Sequence, residues 1–402
     1  MKKNHFPFLL AGGLLLLFFV AFLIWGFPYF FQPFNFAGSA DVFGSKVEDA
    51  EIVKILEEGT ITLGDVTQPY QVLQVKIIGG KYDGVLLEVE YGKYQQRPGS
   101  SLLMVGDAIF VTLDKRPDGV ISAYYTDYNR SFALWVLLGV FVLSILLMAR
   151  RKGVGALVSL AFSLLVIIGY IIPHILAGED PVRVSLIGSA ILLGTTLYLT
   201  YGWNIKTHSA VLSIFFALVI TGTLSIVFVN LAHLSGFGDE NALFLTQVSS
   251  TQINLKGLLL GGMIIGALGV LDDLVTSQTA VAFELFSVDP TLGFREIFKR
   301  SMRIGQDHIA ATVNTLFLAY SGASLPLLLL FALGRGNVPY LLNAEFVTEE
   351  IVRTLVGSIG LIAAVPISTV VAAFTVKNSH RLGDLIQYLG AVEDQQLHGH
   401  RQ

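Results

Sequence analysis

The chain is 402 residues long with 53% hydrophobic and only 14% charged residues, where an ordinary soluble domain has about 25% charged; most of it therefore belongs in a membrane. A formal net charge of -4 and the absence of any long Lys/Arg run argue against nucleic acid as a partner. The absence of cysteine removes disulfides, thiolate metal sites and cysteine nucleophiles together.

Residues 6–31 are almost wholly apolar and follow Lys2 and Lys3. The run exceeds the roughly 7 to 15 residues of a signal-peptide core. It reads as an uncleaved transmembrane anchor within residues 1–37, with Trp25 and Tyr29 toward its outer end. From 38 to 130 the composition becomes that of a soluble domain. AEIVKIL, YQVLQVKII, GVLLEVEY, DAIFVTL and GVISAYY are β-favouring runs, separated by turn chemistry such as Gly79-Gly80, Pro98-Gly99 and Asp118-Gly119. They predict a small all-β barrel of the OB or SH3 type. A gate, a docking module, a ligand-binding cap and a passive exposed domain all suit such a barrel, and fold alone does not choose among them.

Beyond Arg130, apolar runs near 131–149, 153–173, 184–203, 208–231, 255–273, 309–333 and 354–376 approach or exceed the ~20 residues that cross a hydrocarbon core. With the first anchor they predict an all-α polytopic membrane bundle of about eight transmembrane helices, the last seven within residues 131–380 and followed by a tail, 381–402. Arg150, Arg151, Lys152, Lys206, Arg295, Lys299, Arg300, Arg303, Lys377 and Arg381 fall on the same side as Lys2 and Lys3. The opposite side carries only Arg130, Arg183, Lys256, Arg335 and Arg353. The positive-inside rule then puts both termini in the cytoplasm and the β domain outside. The acidic turns Gly178-Glu179-Asp180-Pro181 and Gly238-Asp239-Glu240 read as solvated loops on the outer side. Residues 289–305 predict an amphipathic cytoplasmic surface helix. Asp289 and Pro290 supply its cap and first turn, Leu292, Phe294, Ile297, Phe298 and Met302 recur at helical spacing, and the basic residues face water or headgroups. It is an anchor, or a lever between the sixth and seventh spans.

The chemistry-bearing residues lie on those two spans. Gly262, Gly266 and Gly269 form a small-residue stripe suited to helix packing, and the stripe continues to Asp273, Ser277, Ala280 and Glu284. Asp272 sits roughly 24 Å along the helix from Lys256, toward the cytoplasmic side of a ~30 Å core. On the seventh span Asp307, Ala311, Asn314, Leu318 and Ser321 share a face. If those faces meet, the carboxylates reach similar depth and enclose a polar pocket with Asn314 as its floor and His308, Gln306, Gln278 and Arg303 at its rim. Clustered carboxylates with an amide suit cation binding or proton relay, since like charges in a confined place hold a proton that a cation can replace. Oxygen ligands of this kind also suit a hard metal ion; which metal, if any, is unknown, and no cofactor is expected. The competing explanations are a helix cap for Asp307, a headgroup contact for His308 and a boundary position for Asp272. Pro366 frees the carbonyl of Ile362 in the last span, a hinge or a passive kink.

GALGVLDD followed by Ser277-Gln278, and above all RIGQDHIAATVNTLFLAYSGASLPLLLLF, resemble the YibE/F-like family of bacterial multi-pass membrane proteins, over about Gly153 to Lys377. The resemblance implies a permease or membrane protein of the bacterial cell membrane whose biochemical activity is not settled. The leading expectation is a secondary transporter, no enzyme, with Asp272, Asp273, Asp307 and Asn314 forming a cation- or proton-coupled site for a small solute or ion; which of the two adjacent aspartates matters stays open. The rival is a non-transporting assembly or interaction protein that presents the β domain to an envelope partner, or a homo-oligomer. An intramembrane hydrolase is disfavoured, because no Gly-x-Ser-x-Gly, His-Glu-x-x-His or cysteine occurs. No phosphate-binding Gly-x-x-x-x-Gly-Lys-Ser/Thr loop occurs either.

Overall fold

The computed structural model describes residues 47–94, 102–115, 121–249, 251–333, 338–378 and Leu389. The apolar run 6–31, the turns Pro98-Gly99 and Asp118-Gly119 and, Leu389 apart, the tail 381–402 lie outside the described residues. The chain divides into two units, with the boundary between Met148 and Ala149.

The first unit contains five antiparallel strands, β1 (Val47–Leu63), β2 (Val66–Ile78), β3 (Leu86–Tyr91), β4 (Ala108–Lys115) and β5 (Ile121–Tyr128), in the order β3-β2-β1-β4-β5. Period-two alternation builds them: along β2, Leu73, Val75 and Ile77 turn inward while Lys76 and Ile78 turn out. These side chains share a core with Ile52, Val89, Ile109 and Val111. Tyr91 and Tyr125 meet edge to face at 4.8 Å and bring β3 toward β5, so the sheet is a nearly closed barrel. β1 runs well past AEIVKIL. Its polar half pairs with β2 as far as a turn at Gly64 (φ 61), helped by Tyr70 Oη, which donates to Glu57 at 2.6 Å. Cross-strand contact thus extends a strand that composition alone would end early. Gln71 is fully buried and staples the segment before β4: its Oε1 accepts from Leu103 N (2.9 Å), and its Nε2 donates to Leu103 O (3.1 Å). Near the end of β5, Tyr128 Oη donates to Asp107 at 2.7 Å, a bond that holds the phenol above its ordinary pKa.

The helices are α1 (Ser131–Arg150), α2 (Gly153–Leu176), α3 (Pro181–Tyr201), α4 (Ile205–Leu231), α5 (Glu240–Val248), α6 (Leu255–Val288), α7 (Phe294–Ala323), α8 (Leu325–Leu333), α9 (Val338–Leu342) and α10 (Glu345–Asn378). Arg150 leaves helical conformation (φ 50) and separates α1 from α2. Asp180, Asn204 and Asn254 cap α3, α4 and α6 by accepting from the N–H groups of Arg183, Thr207 and Gly257.

Six helices among the described residues are long and apolar enough to cross a membrane: α1, α2, α3, α4, α6 and α10. About eight were expected. Of the other two, 6–31 lies outside the described residues, and 309–333 is divided between α7 and α8 at Ser324. Pro326 has no N–H to carry the ladder across that join. Nor is 289–305 a helix of its own. Asp289 accepts from Thr291 N (3.0 Å) in a turn, the helix starts at Phe294, and it runs without a break from its basic start through to Ala323.

α6 is the central helix, in contact with α3, α4, α7 and α10. Leu268, Leu271 and Val275 share one core with Leu193 and Leu197 of α3 and Ala210 and Ile214 of α4. Backbones approach where side chains are small: a Cβ on Gly261 would meet Ser185 of α3, and one on Gly360 of α10 would meet Thr221 of α4. At the end where α6 and α10 begin, Glu345 accepts from Ser235 Oγ (2.6 Å) and Gly236 N (3.1 Å), and Glu349 accepts from Gly238 N (3.2 Å). The loop after α4, read from sequence only as solvated, is therefore tied to α10.

Gln71→Ala strands the buried Leu103 amide and carbonyl. The expected result is a loss of about 1–3 kcal/mol from the β unit, seen as a lower Tm and faster amide exchange at Leu103; unchanged exchange there would rule out the staple.

Candidate functional site

Asp272 is the chemically exceptional residue of α6. It is half-buried, and its Oδ1 is enclosed without a hydrogen-bond partner. By helical spacing it follows Gly261, Ile265 and Leu268 on the side of α6 that meets α3, and Gly261 is the point of closest approach to Ser185. One turn further on, Thr276 returns its hydroxyl to the carbonyls of Asp272 (2.8 Å) and Asp273 (3.0 Å). There a cleft of about 220 Å³, open to the surroundings, separates α3, α4 and α6. Tyr201 of α3, Lys206 and Thr207 of α4, and Thr276, Ser277 and Ala280 of α6 line it. The arrangement is a carboxylate in an apolar seam with a largely apolar opening, edged by a few polar side chains, one turn away. An ionised carboxylate without a partner is costly at such a position, and a proton or a bound cation relieves the cost.

Gln278, expected at the rim of a pocket, is fully buried between three helices. Its Nε2 donates to the Ser301 carbonyl of α7 (2.9 Å) and to Thr369 Oγ1 of α10 (2.8 Å). Gly305 makes room for it: a Cβ there would lie 2.9 Å from Gln278 Nε2 and 2.5 Å from Val365. Gln278 Oε1, Thr279 Oγ1 and Ser301 Oγ stay enclosed and unsatisfied at this level. The lock lies one turn beyond Pro366, and α10 is continuous through that proline. Thr369 and Ser368 turn their hydroxyls back to the Val365 carbonyl (2.7 and 3.0 Å), in the stretch where proline weakens the ladder.

The lock also sets the antiparallel register of α6 and α7. Asp273, five residues before Gln278, and Asp307, six after Ser301, lie about 8 and about 9 Å from it in the same direction. The two carboxylates share a level, yet they do not share a pocket. Asp273, Asp307 and Asn314 are all exposed, and His308 is half-buried with an enclosed, partnerless Nδ1. The helices meet instead through Val270 and Leu274 of α6 and Met302, Ile309, Val313 and Leu316 of α7. The expected glycine seam is likewise not formed within the described residues: nothing lies within 4 Å of where a Cβ would stand on Gly262, Gly266 or Gly269. The cause is a rotation. Bulkier apolar side chains take the contact, and the stripe carrying the glycines and Asp273 is turned outward. No group of three His, Asp or Glu side chains among the described residues could hold a metal ion. Sequence reasoning missed the part of the site contributed by Tyr201, Lys206 and Thr207. The signal for it was the cluster of polar side chains at the α3–α4 turn, opposite the hydroxyls that follow Asp272.

Several apolar helices of spanning length packed around α6, with polar side chains held inside the bundle, define a multi-pass membrane protein. The model of the YibE/F-like protein family matches residues 137–378, and the chain belongs to that family. Neither the curated proteins nor the solved structures provide a match.

Gln278→Ala should cost about 1–3 kcal/mol, because it removes the two buried hydrogen bonds that tie α6 to α7 and α10 and leaves a cavity between them. Thermal unfolding in detergent checks this, with Gln306→Ala on the exposed face of α7 as the control that leaves Tm in place; equal Tm values for the two variants would remove the lock.

Proposed function

We propose that this protein is a permease of the secondary-transporter type, in which Asp272 carries the coupling proton or cation and the cleft between α3, α4 and α6 admits a small solute or ion. The observation that carries this reading is the enclosed, partnerless carboxylate oxygen of Asp272, one helical turn from a largely apolar cleft that carries Tyr201, Lys206 and Ser277. The carboxylate is neutral when protonated and can sit against α3; once it loses its proton it needs water, a cation or a change in the α3–α6 seam. Binding and protonation are thereby coupled to helix packing, as exchange at a membrane carboxylate requires. The coupling group moves from the α6–α7 seam expected from sequence to the opposite side of α6. Lys206, Lys299, Arg300, Arg303 and Lys377 lie toward the end of the bundle where α6 and α10 finish, which supports a cytoplasmic mouth for the cleft and an extracytoplasmic β domain. No enzymatic step is assigned to these residues.

A second reading, a non-transporting protein that presents its β domain to an envelope partner, draws on Tyr94, Met104 and Val105, which expose 75%, 70% and 60% of their surface. Removing residues 41–130 separates the two: the second reading expects partner capture to disappear while Asp272→Asn leaves the phenotype untouched.

For the transporter reading, a hydrophobic carbodiimide, which takes the proton of a carboxyl in apolar surroundings and is then attacked by its oxygen, should label Asp272 in membrane vesicles. Mass spectrometry should find its adduct several-fold above those at Asp273 and Asp307 and falling as pH rises. Uniform labelling of the three aspartates, or none at Asp272, would defeat the assignment.

A further inference from the structure

A second cleft opens on the other side of α6, toward the end where α6 and α10 begin. It lies between α6, α7 and α10, is narrow, with a volume of about 20 Å³, and opens to the surroundings. Gly262 and Gly266 form one wall, Leu316 and Tyr320 of α7 another, and Arg353 and Gly357 of α10 the third. Both glycines are exposed, and nothing stands within 4 Å of either missing Cβ. This is a narrow apolar slot on a helix surface which, in a spanning bundle, faces lipid.

Arg353 is the anomaly in that slot. It is eight residues into α10, about 12 Å from its start by helical rise. An arginine cannot shed its charge there. Its Nη1 donates to Glu350 at 2.6 Å, the one hydrogen bond of the guanidinium among the described residues. Glu350 lies one turn nearer the start of α10, with about a quarter of its side chain (23%) exposed and a third of that of Arg353 (34%). The order along α10, from the bundle interior to its end, is apolar slot, fixed cation, carboxylate. A phospholipid with an amine headgroup has the complementary order: acyl chain, phosphate, ammonium.

We propose that this cleft seats an aminophospholipid of the phosphatidylethanolamine type. One acyl chain lies in the slot over Gly262 and Gly266, the phosphate takes the free donors of Arg353, and the ammonium donates to Glu350. The guanidinium fork matches two phosphate oxygens, and charge-assisted bonds of this kind are the stronger ones. The chain supplies the dispersion contacts that an unfilled slot lacks. A choline headgroup offers Glu350 no N–H, and a glycerol headgroup brings a net negative charge to a pair that is already neutral.

The test uses the full-length protein in detergent, titrated with phosphatidylethanolamine, phosphatidylcholine or phosphatidylglycerol, with retained lipid counted by native mass spectrometry. The wild type should retain phosphatidylethanolamine over the other two by roughly fivefold, the weight of about one net hydrogen bond. Glu350→Met, which has no oxygen to accept the ammonium N–H, should erase that preference, and Arg353→Gln should lower retention of all three lipids. Gly266→Leu should fill the slot and abolish retention. Because nothing lies within 4 Å of where the new Cβ would stand and leucine favours a helix over glycine, its lipid-free Tm should not fall below that of the wild type, which separates loss of the site from loss of the fold. Equal retention of the three lipids by wild type, or undiminished retention by Gly266→Leu, would overturn the proposal. So would equal stabilisation by soluble phosphoethanolamine, which would make the site a headgroup site only, or a disulfide between two copies of Gly266→Cys, which would give the slot to a second copy.

Discussion

A bilayer core offers no hydrogen bonds, so every polar group carried into the helical unit must be met by protein, by a bound ion or by water admitted along a path. That constraint organises the bundle around α6. Its backbone is satisfied by its own length, and its polar side chains decide what stands beside it. Gln278 turns to α7 and α10 and is met by the Ser301 carbonyl and the Thr369 hydroxyl. Asp272 turns toward α3 with an oxygen that no protein group meets. One residue is a lock and the other is an open demand, six residues apart on the same helix.

Helix spacing is set by where the chain has no side chain to give. Gly261 admits Ser185, Gly360 admits Thr221 and Gly305 admits Gln278, so α3, α4, α7 and α10 are drawn in at different heights around α6 and α10. The glycines that draw in nothing, Gly262 and Gly266, leave the slot beside Arg353 instead. Two clefts on different sides of α6, one toward each end of the bundle, follow from the same economy of small residues. A motion of α6 against its neighbours, with Pro366 and the Gln278 lock near the pivot, would alter both.

Much of this was legible in the chain. The alternation of Leu73, Val75 and Ile77 and of its partner strands specified a five-stranded barrel, because period two has few other uses. The apolar runs specified spanning helices, because length and composition are all that a bilayer asks. The family followed from the long stretch around Asn314. Rotation was less legible. Helical spacing showed that Gly262, Gly266, Gly269 and Asp273 share a face, and that Asp307, Ala311 and Asn314 share another, but a shared face does not say what it looks at. Val270, Leu274, Ile309 and Leu316 compete for the same seam and bury more apolar surface, so they occupy it and turn the glycine and aspartate faces outward.

Sequence alone therefore determined the class of this protein, its two kinds of unit and the levels of its polar residues along the helices, since composition, periodicity and a rise of ~1.5 Å per residue are properties of the local chain. Tertiary structure decided which way each of those residues points: Asp272 inward and Asp273 outward, Gln278 a lock and not a rim, the long amphipathic stretch one helix with the span that follows. Those outcomes depend on volume and partners supplied by residues far along the chain, as Thr369 is 91 positions from Gln278, and no local pattern contains them.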